Sequence, residues 1–471
     1  MKKLLISILI TLCFAVNSYA VPSASTVWEV RYDATAGNVN GGGFDAGVAV
    51  PGTDYSQQAA AQDYGTDLAC ADGDAATPLV TSVSHTFAEA DEGNVIHITA
   101  GTSWTAGWYV ITDTAAGVAT LDRACGADGA LTSGTWYYGG AMSLASTLDD
   151  DFFEQIADGN IVYIKYSASA YTLGETVSVL TNDATTELPI YWVGYNTTRT
   201  LINSDASKPT INPAATGISL GDYYVVRNIS LTGTAVQTII GGGFNVFSQC
   251  KIVNTSTTAG RYALNLGALN KAICCELQSD YGVALYASGN LQTAFGCYIH
   301  GGANSTTGIS FGGDHNTIAF NIVSGYPTAA ITIAATRDYN TIINNTLYGA
   351  ETPAGIGLNM NDSEANLIAN NIIYGFTTGI NFSAEAKINR FMYNNLYNNT
   401  TARTNATAGI GDIALDPAFT NAATGDFTPG TNMKAVAFPG AFPGGTVTGY
   451  LDIGAVQRVE GAGGGATAYA F

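Results

Sequence analysis

Seven short segments of this chain repeat one pattern at a near-constant interval, and that interval limits the fold more than any other feature. They are 245–250 (NVFSQC), 271–276 (KAICCE), 292–297 (QTAFGC), 316–321 (NTIAFN), 340–345 (NTIINN), 366–371 (NLIANN) and 389–394 (NRFMYN), with last residues 21 to 26 positions apart. A second set of apolar signals, Val283–Leu285, Ile309–Phe311, Ile331–Ile333, Ile356–Leu358 and Ile380–Phe382, keeps the same interval. Two independent columns with one period define a solenoid, whose units bury their apolar faces only by stacking on their neighbours. The leucine framework of leucine-rich repeats is absent, while Ile, Val and Phe fill the strand positions.

Asparagine recurs at fixed places in each unit. The columns Asn316, Asn340, Asn366, Asn389 and Asn321, Asn345, Asn371, Asn394 are expected to form two ladders. Asn tolerates the left-handed turn conformation, and its amide can bond to the equivalent amide of the next coil. The rest of the composition agrees: 55 Gly, 26 Tyr and only 11% charged residues, with short apolar runs between Gly and Asn. No stretch beyond the N-terminus carries helical periodicity, so the class is all-β.

With these coils in view, the chain resembles the right-handed parallel β-helix superfamily, which includes pectate lyase-like enzymes, phage tailspikes and secreted surface proteins. The resemblance extends to 161–165 (IVYIK), 189–195 (PIYWVGY) and 224–229 (YVVRNI) at one end. At the other it takes in 416–419 (DPAF), 425–427 (GDF) and 451–455 (LDIGA). It implies a single-stranded β-helix over residues 151–457 with a C-terminal capping segment. It implies no particular activity, because the superfamily hosts enzymes and non-enzymes alike. Trimers are common among its virion members, though nothing in these residues demands one.

Residues 1–20 read as a secretory signal peptide: Lys2 and Lys3, an apolar run from Leu4 to Val16, and small residues before a cut after Ala20. Residues 21–150 lack the repeat and read as a β-rich head or cap, with strand signals at 94–98, 107–111 and 134–138. The Gly/Ala-rich 458–471 reads as a flexible tail. A net charge of −20 repels nucleic acid and anionic membranes, and no later segment is apolar enough to span a bilayer. Cys70 and Cys125 could pair in an oxidising compartment. Cys250, Cys274, Cys275 and Cys297 lie within the repeats and read mainly as a buried column.

Stacking converts sequence columns into surface stripes, and two of these carry chemistry. Asn290, Asp314, Asp338, Glu364 and Lys387 occupy one position in successive coils. Carboxylates about 5 Å apart could ligate calcium, with Asp362 nearby, or supply the acid and base of a glycosidase. They could equally be solvated turn residues. In a catalytic reading Asp314, Asp338 and Glu364 act with Lys387 or Arg337, and His315 is a further candidate base. The second stripe is His300, Ser324, Tyr348, Tyr374 and Tyr397, expected to face outward as a strip on which sugar rings could lie. Its plainer reading is an aromatic ladder that merely stabilises the sheet or is covered by the C-terminal segment. The sequence therefore favours an extracellular or virion-surface protein that binds polysaccharide. A polysaccharide lyase or hydrolase, or a purely structural fibre module, stand as alternatives.

Overall fold

Each coil turns sharply because short strands are bracketed by left-handed residues. Around Ile318 the order is His315 (φ 59°), Asn316, strand Thr317–Ala319, Phe320 (φ 59°), Asn321 and strand Ile322–Ser324. The same grammar recurs at Tyr339–Asn340 and Asn344–Asn345, and at Ala365–Asn366 and Asn370–Asn371. The left-handed residue reverses the chain, and the following Asn faces inward and is fully buried. These details come from a computed structural model, which describes residues 27–33, 61, 63–142, 156, 158–173, 188–196, 207–213, 217–235, 237–302, 304–349, 355–383, 388–430, 433, 453–460 and 466–469. The expected signal peptide, Ala20 included, lies outside them, as does Lys387. Among the described residues no helix is long and apolar enough to cross a membrane.

The described residues fall into two compact units, within 24–282 and within 283–471. In the first, three parallel sheets share one core. The first sheet runs Val27–Val30, Ile161–Lys165, Ile190–Tyr195, Tyr224–Arg227, Val246–Ser248, Lys271–Ile273. The second runs from Tyr171–Thr172 to Glu276–Ser279, and the third joins Ile218–Leu220, Gln237–Gly241 and Tyr262–Leu266. Trp28, Val162, Trp192, Val226, Phe247 and Ala272 stack as one inward column of the first sheet. Cys250 and Cys275 are buried, their thiols turned to the carbonyls of Val226 and Phe247. Cys274, at φ 52°, is only half-buried, which sets it apart from the buried cysteines.

Between the first two strands of that sheet the chain builds a closed antiparallel barrel. Its order is Asp63–Cys70, Leu79–Thr81, Val118–Leu121, Gly107–Ala115, Val95–Ala100 and Leu131–Tyr138, closing back on the first. Its core gathers Leu68, Phe87, Ile96, Tyr109 and Trp136. The head expected over 21–150 thus needs revision: Val27–Val30 already pairs in the solenoid with Ile161–Ile164, ahead of the barrel.

The unit within 283–471 repeats the three-sheet plan. Its inward columns are Ala294, Ile318, Ile342, Ile368, Phe391, then Ile299, Val323, Leu347, Ile373, Leu396, then Leu285, Ile309, Ile331, Leu358, Ile380. The third column differs by two residues from the sequence alignment at Val283 and Ile356, where Leu285 and Leu358 are the true equivalents. A slip of two leaves the inward face unchanged, because strand side chains alternate.

Both asparagine ladders exist. Asn321, Asn345 and Asn371 each give their backbone N–H to the amide oxygen of the next member, at 2.9, 2.9 and 3.1 Å. Their Nδ2 groups donate to carbonyls of the preceding coil, as Asn345 does to Ile318 at 2.9 Å. The other file runs from Gln292 through Asn316, Asn340 and Asn366 to Asn389 in the same sense. Buried donors and acceptors are thereby satisfied coil by coil.

After the last coil the chain returns along the outer side of the second sheet. Ile413 bridges to Asn395, Gly454 donates to the Asn370 carbonyl, and Met433 and Ile453 pack on Ile372. Within the Gly/Ala-rich tail and just before it, Gln457–Glu460 and Ala466–Tyr469 pair as antiparallel strands.

Candidate functional site

The tyrosine stripe has the expected register. His300 pairs with Ser324, Ser324 with Tyr348, Tyr348 with Tyr374 and Tyr374 with Tyr397. Tyr348 and Tyr374 stack at 5.3 Å and 7°, and Tyr397 follows at 5.8 Å and 31°. The strip is not open, however. Phe419 packs edge-on against both Tyr348 and Tyr374, and Phe427 packs edge-on against Tyr348 at 5.2 Å. Tyr348 and Tyr374, half-buried, dock the returning C-terminal segment, whose rings gain burial there.

At the His300 end the cover stops short. His300 stacks on Tyr298 at 4.8 Å, and these rings with Ser324 face the turn Ala422–Gly425 across a polar cleft of about 320 Å³. Tyr298 was not singled out from the sequence. Its signal was present, since it stands two residues before His300 in one strand and so points to the same side.

The acidic file is also in register, and its side-chain oxygens accept backbone N–H groups of the following coil. Asp314 Oδ1 accepts the Asp338 backbone N–H at 3.0 Å, and Asp338 Oδ1 accepts that of Glu364 at 2.7 Å. Asn290 does the same for Asp314 at 2.8 Å. Each carboxylate therefore caps the turn of the next coil. Asp362 lies off this file, its carbonyl accepting from Thr336. Arg337 is half-buried beside the file, and its carbonyl accepts from Asn340. Among the described residues the one trio of His, Cys, Asp or Glu whose donor atoms converge within 4.8 Å is Asp72, Asp74 and Asp128 in the barrel loops. Among the described residues Asp314, Asp338, Asp362 and Glu364 form no trio whose donor atoms converge within 4.8 Å, and Asp314, Asp338 and Glu364 stand one coil apart.

The residue after each member of that column, Asn290 and Lys387 included, forms a second file. Leu291, His315, Tyr339, Ala365 and Ile388 all have φ between 46° and 59°. Leu291 is 54% exposed, Tyr339 60% and Ile388 76%. The His315 and Tyr339 rings stack at 5.0 Å and 17°. The unit within 24–282 uses the same device, with Tyr223 and Phe244 stacked at 4.6 Å and 7° on left-handed turns. A left-handed backbone costs an ordinary residue about 1–2 kcal/mol, and a β-branched residue such as Ile388 tolerates it least. Gly or Asn would relieve that cost, and exposure gains these side chains no burial. Of this file the sequence reading named only His315. The signal for the rest is position: each immediately precedes a ladder residue.

Among known proteins, residues 208–413 match the family model described as periplasmic copper-binding protein (NosD). No curated protein matches the chain. Among solved structures, pectate lyase Pel9A aligns at 11% identity over 67% of this chain and 91% of its own, with a TM-score of 0.43. A PL6-family alginate lyase aligns at 14% identity over 55% of this chain and 39% of its own, also at 0.43. A tailspike protein from Pseudomonas phage LKA1 aligns at 10% identity over 78% of this chain and 64% of its own, at 0.20. The converging trio found among the described residues, Asp72, Asp74 and Asp128, lies outside 208–413 and is all hard carboxylate, whereas copper prefers imidazole, thiolate and thioether ligands. Stacked parallel coils and three sheets around one core give this chain the fold of a right-handed parallel β-helix, and the matched family model spans the coils from 208 to 413.

Proposed function

We propose that this protein recognises a neutral polysaccharide outside the cytoplasm, along the exposed file Leu291, His315, Tyr339 and Ile388. The observation that carries the reading is the stacked His315–Tyr339 pair, held on strained turns beside Asp314 and Asp338. Flat exposed rings give the C–H face of a sugar an apolar surface, and carboxylate oxygens alongside accept its hydroxyls. A net charge of −20 and a row of carboxylates argue against a polyanionic glycan. The file is one residue wide, which suits a linear chain; a stable protein partner needs about 800 Å² on each side. The N-terminal leader pattern and the match to a periplasmic family support an extracytoplasmic location.

Affinity electrophoresis through gels containing neutral or acidic polysaccharides tests the proposal. Retardation by a neutral glycan that is lost in both Tyr339→Ala and His315→Ala, with melting temperatures unchanged, is the expected result. Retention by no glycan, or retention indifferent to both substitutions, overturns it. Release of new reducing ends from any polysaccharide would move the reading to a lyase or hydrolase.

A further inference from the structure

Two buried thiols in the barrel face one another with no role in the proposed binding surface. Cys70 ends the strand Asp63–Cys70, and Cys125 lies in the segment that follows Val118–Leu121. Their Sγ atoms are 4.0 Å apart although 55 positions separate them in sequence. Cys70 is 4% exposed and Cys125 0%. Main-chain bonds already fasten the two segments: Cys125 N and Gly126 N both donate to Gly73 O, at 2.8 and 3.0 Å, and Gly73 N donates to Gly129 O at 3.1 Å. The contact is tight as well as bonded, since a Cβ added at either Gly73 or Gly126 would meet the Leu131 side chain at 2.4 Å. The two sulfurs are therefore held together by the backbone around them.

We propose that Cys70 and Cys125 are oxidised to a disulfide in the mature protein. The bond length is about 2.05 Å, so the sulfurs must close by about 2 Å, a side-chain adjustment within a fixed frame. The oxidant is a small-molecule or protein disulfide. One cysteine thiolate attacks it to give a mixed disulfide and release one thiol. The second cysteine then attacks that mixed disulfide, the protein S–S bond forms and a second thiol leaves. Two electrons and two protons pass to the oxidant.

Burial, with Cys70 alongside, pushes the Cys125 thiol up to about 12, so little thiolate exists in the closed barrel. Exchange belongs to the open chain, and closure of the barrel then shields the bond. The link also opposes a local repulsion. Asp72, Asp74 and Asp128 stand on the same two loops with oxygens within 4.8 Å of one another, and like charges drive those loops apart.

The test refolds full-length protein in a glutathione redox buffer, denatures and alkylates it without reductant, and maps the peptides. The expected result is a single linked peptide pair containing Cys70 and Cys125, with both residues alkylated only after reduction. In the folded protein, a reductant should act on the bond far more slowly than in denaturant. Full alkylation of both cysteines without reductant, or linkage of either to Cys250, Cys274, Cys275 or Cys297, overturns the proposal. Because the wild-type peptide map decides the matter, the outcome stands even if Cys70→Ser or Cys125→Ser fails to fold. It is also independent of any glycan result.

Discussion

Asp412 closes the asparagine file by accepting the Asn394 backbone N–H at 2.8 Å and its Nδ2 group at 3.2 Å. The last amide of a ladder has no further coil to meet, and a carboxylate supplies the missing acceptor. Arg403 and the Gly409 N–H in turn hold the other carboxylate oxygen. Asp412→Ala leaves Asn394 and Arg403 without that partner and should cost about 3 kcal/mol. Asp412→Asn keeps an acceptor for Asn394 and should cost about half as much. Chemical denaturation of the two variants checks the ranking.

The C-terminal return depends on aromatic contacts, and Phe427 is nearly fully buried against Tyr348. Phe427→Ala should destabilise by about 3 kcal/mol and loosen the segment before the coils themselves melt. Limited proteolysis reads this directly, with cleavage near residues 416–430 rising well above wild type while the asparagine-rich coils stay protected.

In the barrel, Asp67 accepts hydrogen bonds from Trp136 Nε1, Ser82 Oγ, Ser84 Oγ and the Val83 and Ser84 N–H groups. Burial opposes its ionisation, but the bonds from Trp136, Ser84 and Ser82 outweigh it and hold the carboxyl well below the usual range. A folded value below the unfolded one, about 3.9, contributes stability above that pH and loses it as pH falls. Barrel stability should therefore decline in acid below about pH 4, reported by Trp136 fluorescence. Asp67→Asn should flatten that acid limb and lower stability at neutral pH.

Ile388 holds φ 46° with most of its side chain in water. Ile388→Asn should raise stability by about 1 kcal/mol, because Asn accepts the left-handed turn that a β-branched residue resists. If the file serves binding, the same variant gains stability and loses glycan retention. Thermal melts and affinity gels on one preparation measure both.

The coils were legible because stacking makes each a copy of the last. Asn321, Asn345 and Asn371 had to recur to satisfy buried backbone groups, and Ile318, Ile342 and Ile368 had to recur to fill one column. That redundancy located the Tyr348–Tyr374–Tyr397 register without coordinates. What repetition does not carry was missed. Nothing periodic says where Phe419 and Phe427 will land, so the covering of the tyrosines was one of two open readings. The Asp314 and Asp338 carboxylates looked chemically poised because a sequence column shows their spacing but not the N–H groups they accept. His315 and Tyr339 escaped as a pair because a left-handed position is usually marked by Gly or Asn, and here it is not.

Ala455 donates its N–H to Thr346 Oγ1, a contact spanning 109 positions. Synthesis must run 109 positions past Thr346 before this clasp can close on coils made earlier. Until Phe419 and Phe427 are made, the phenol rings of Tyr348 and Tyr374 lie bare on the growing surface. Chains cut short upstream of Phe419 would carry an aromatic flag that the returning segment hides.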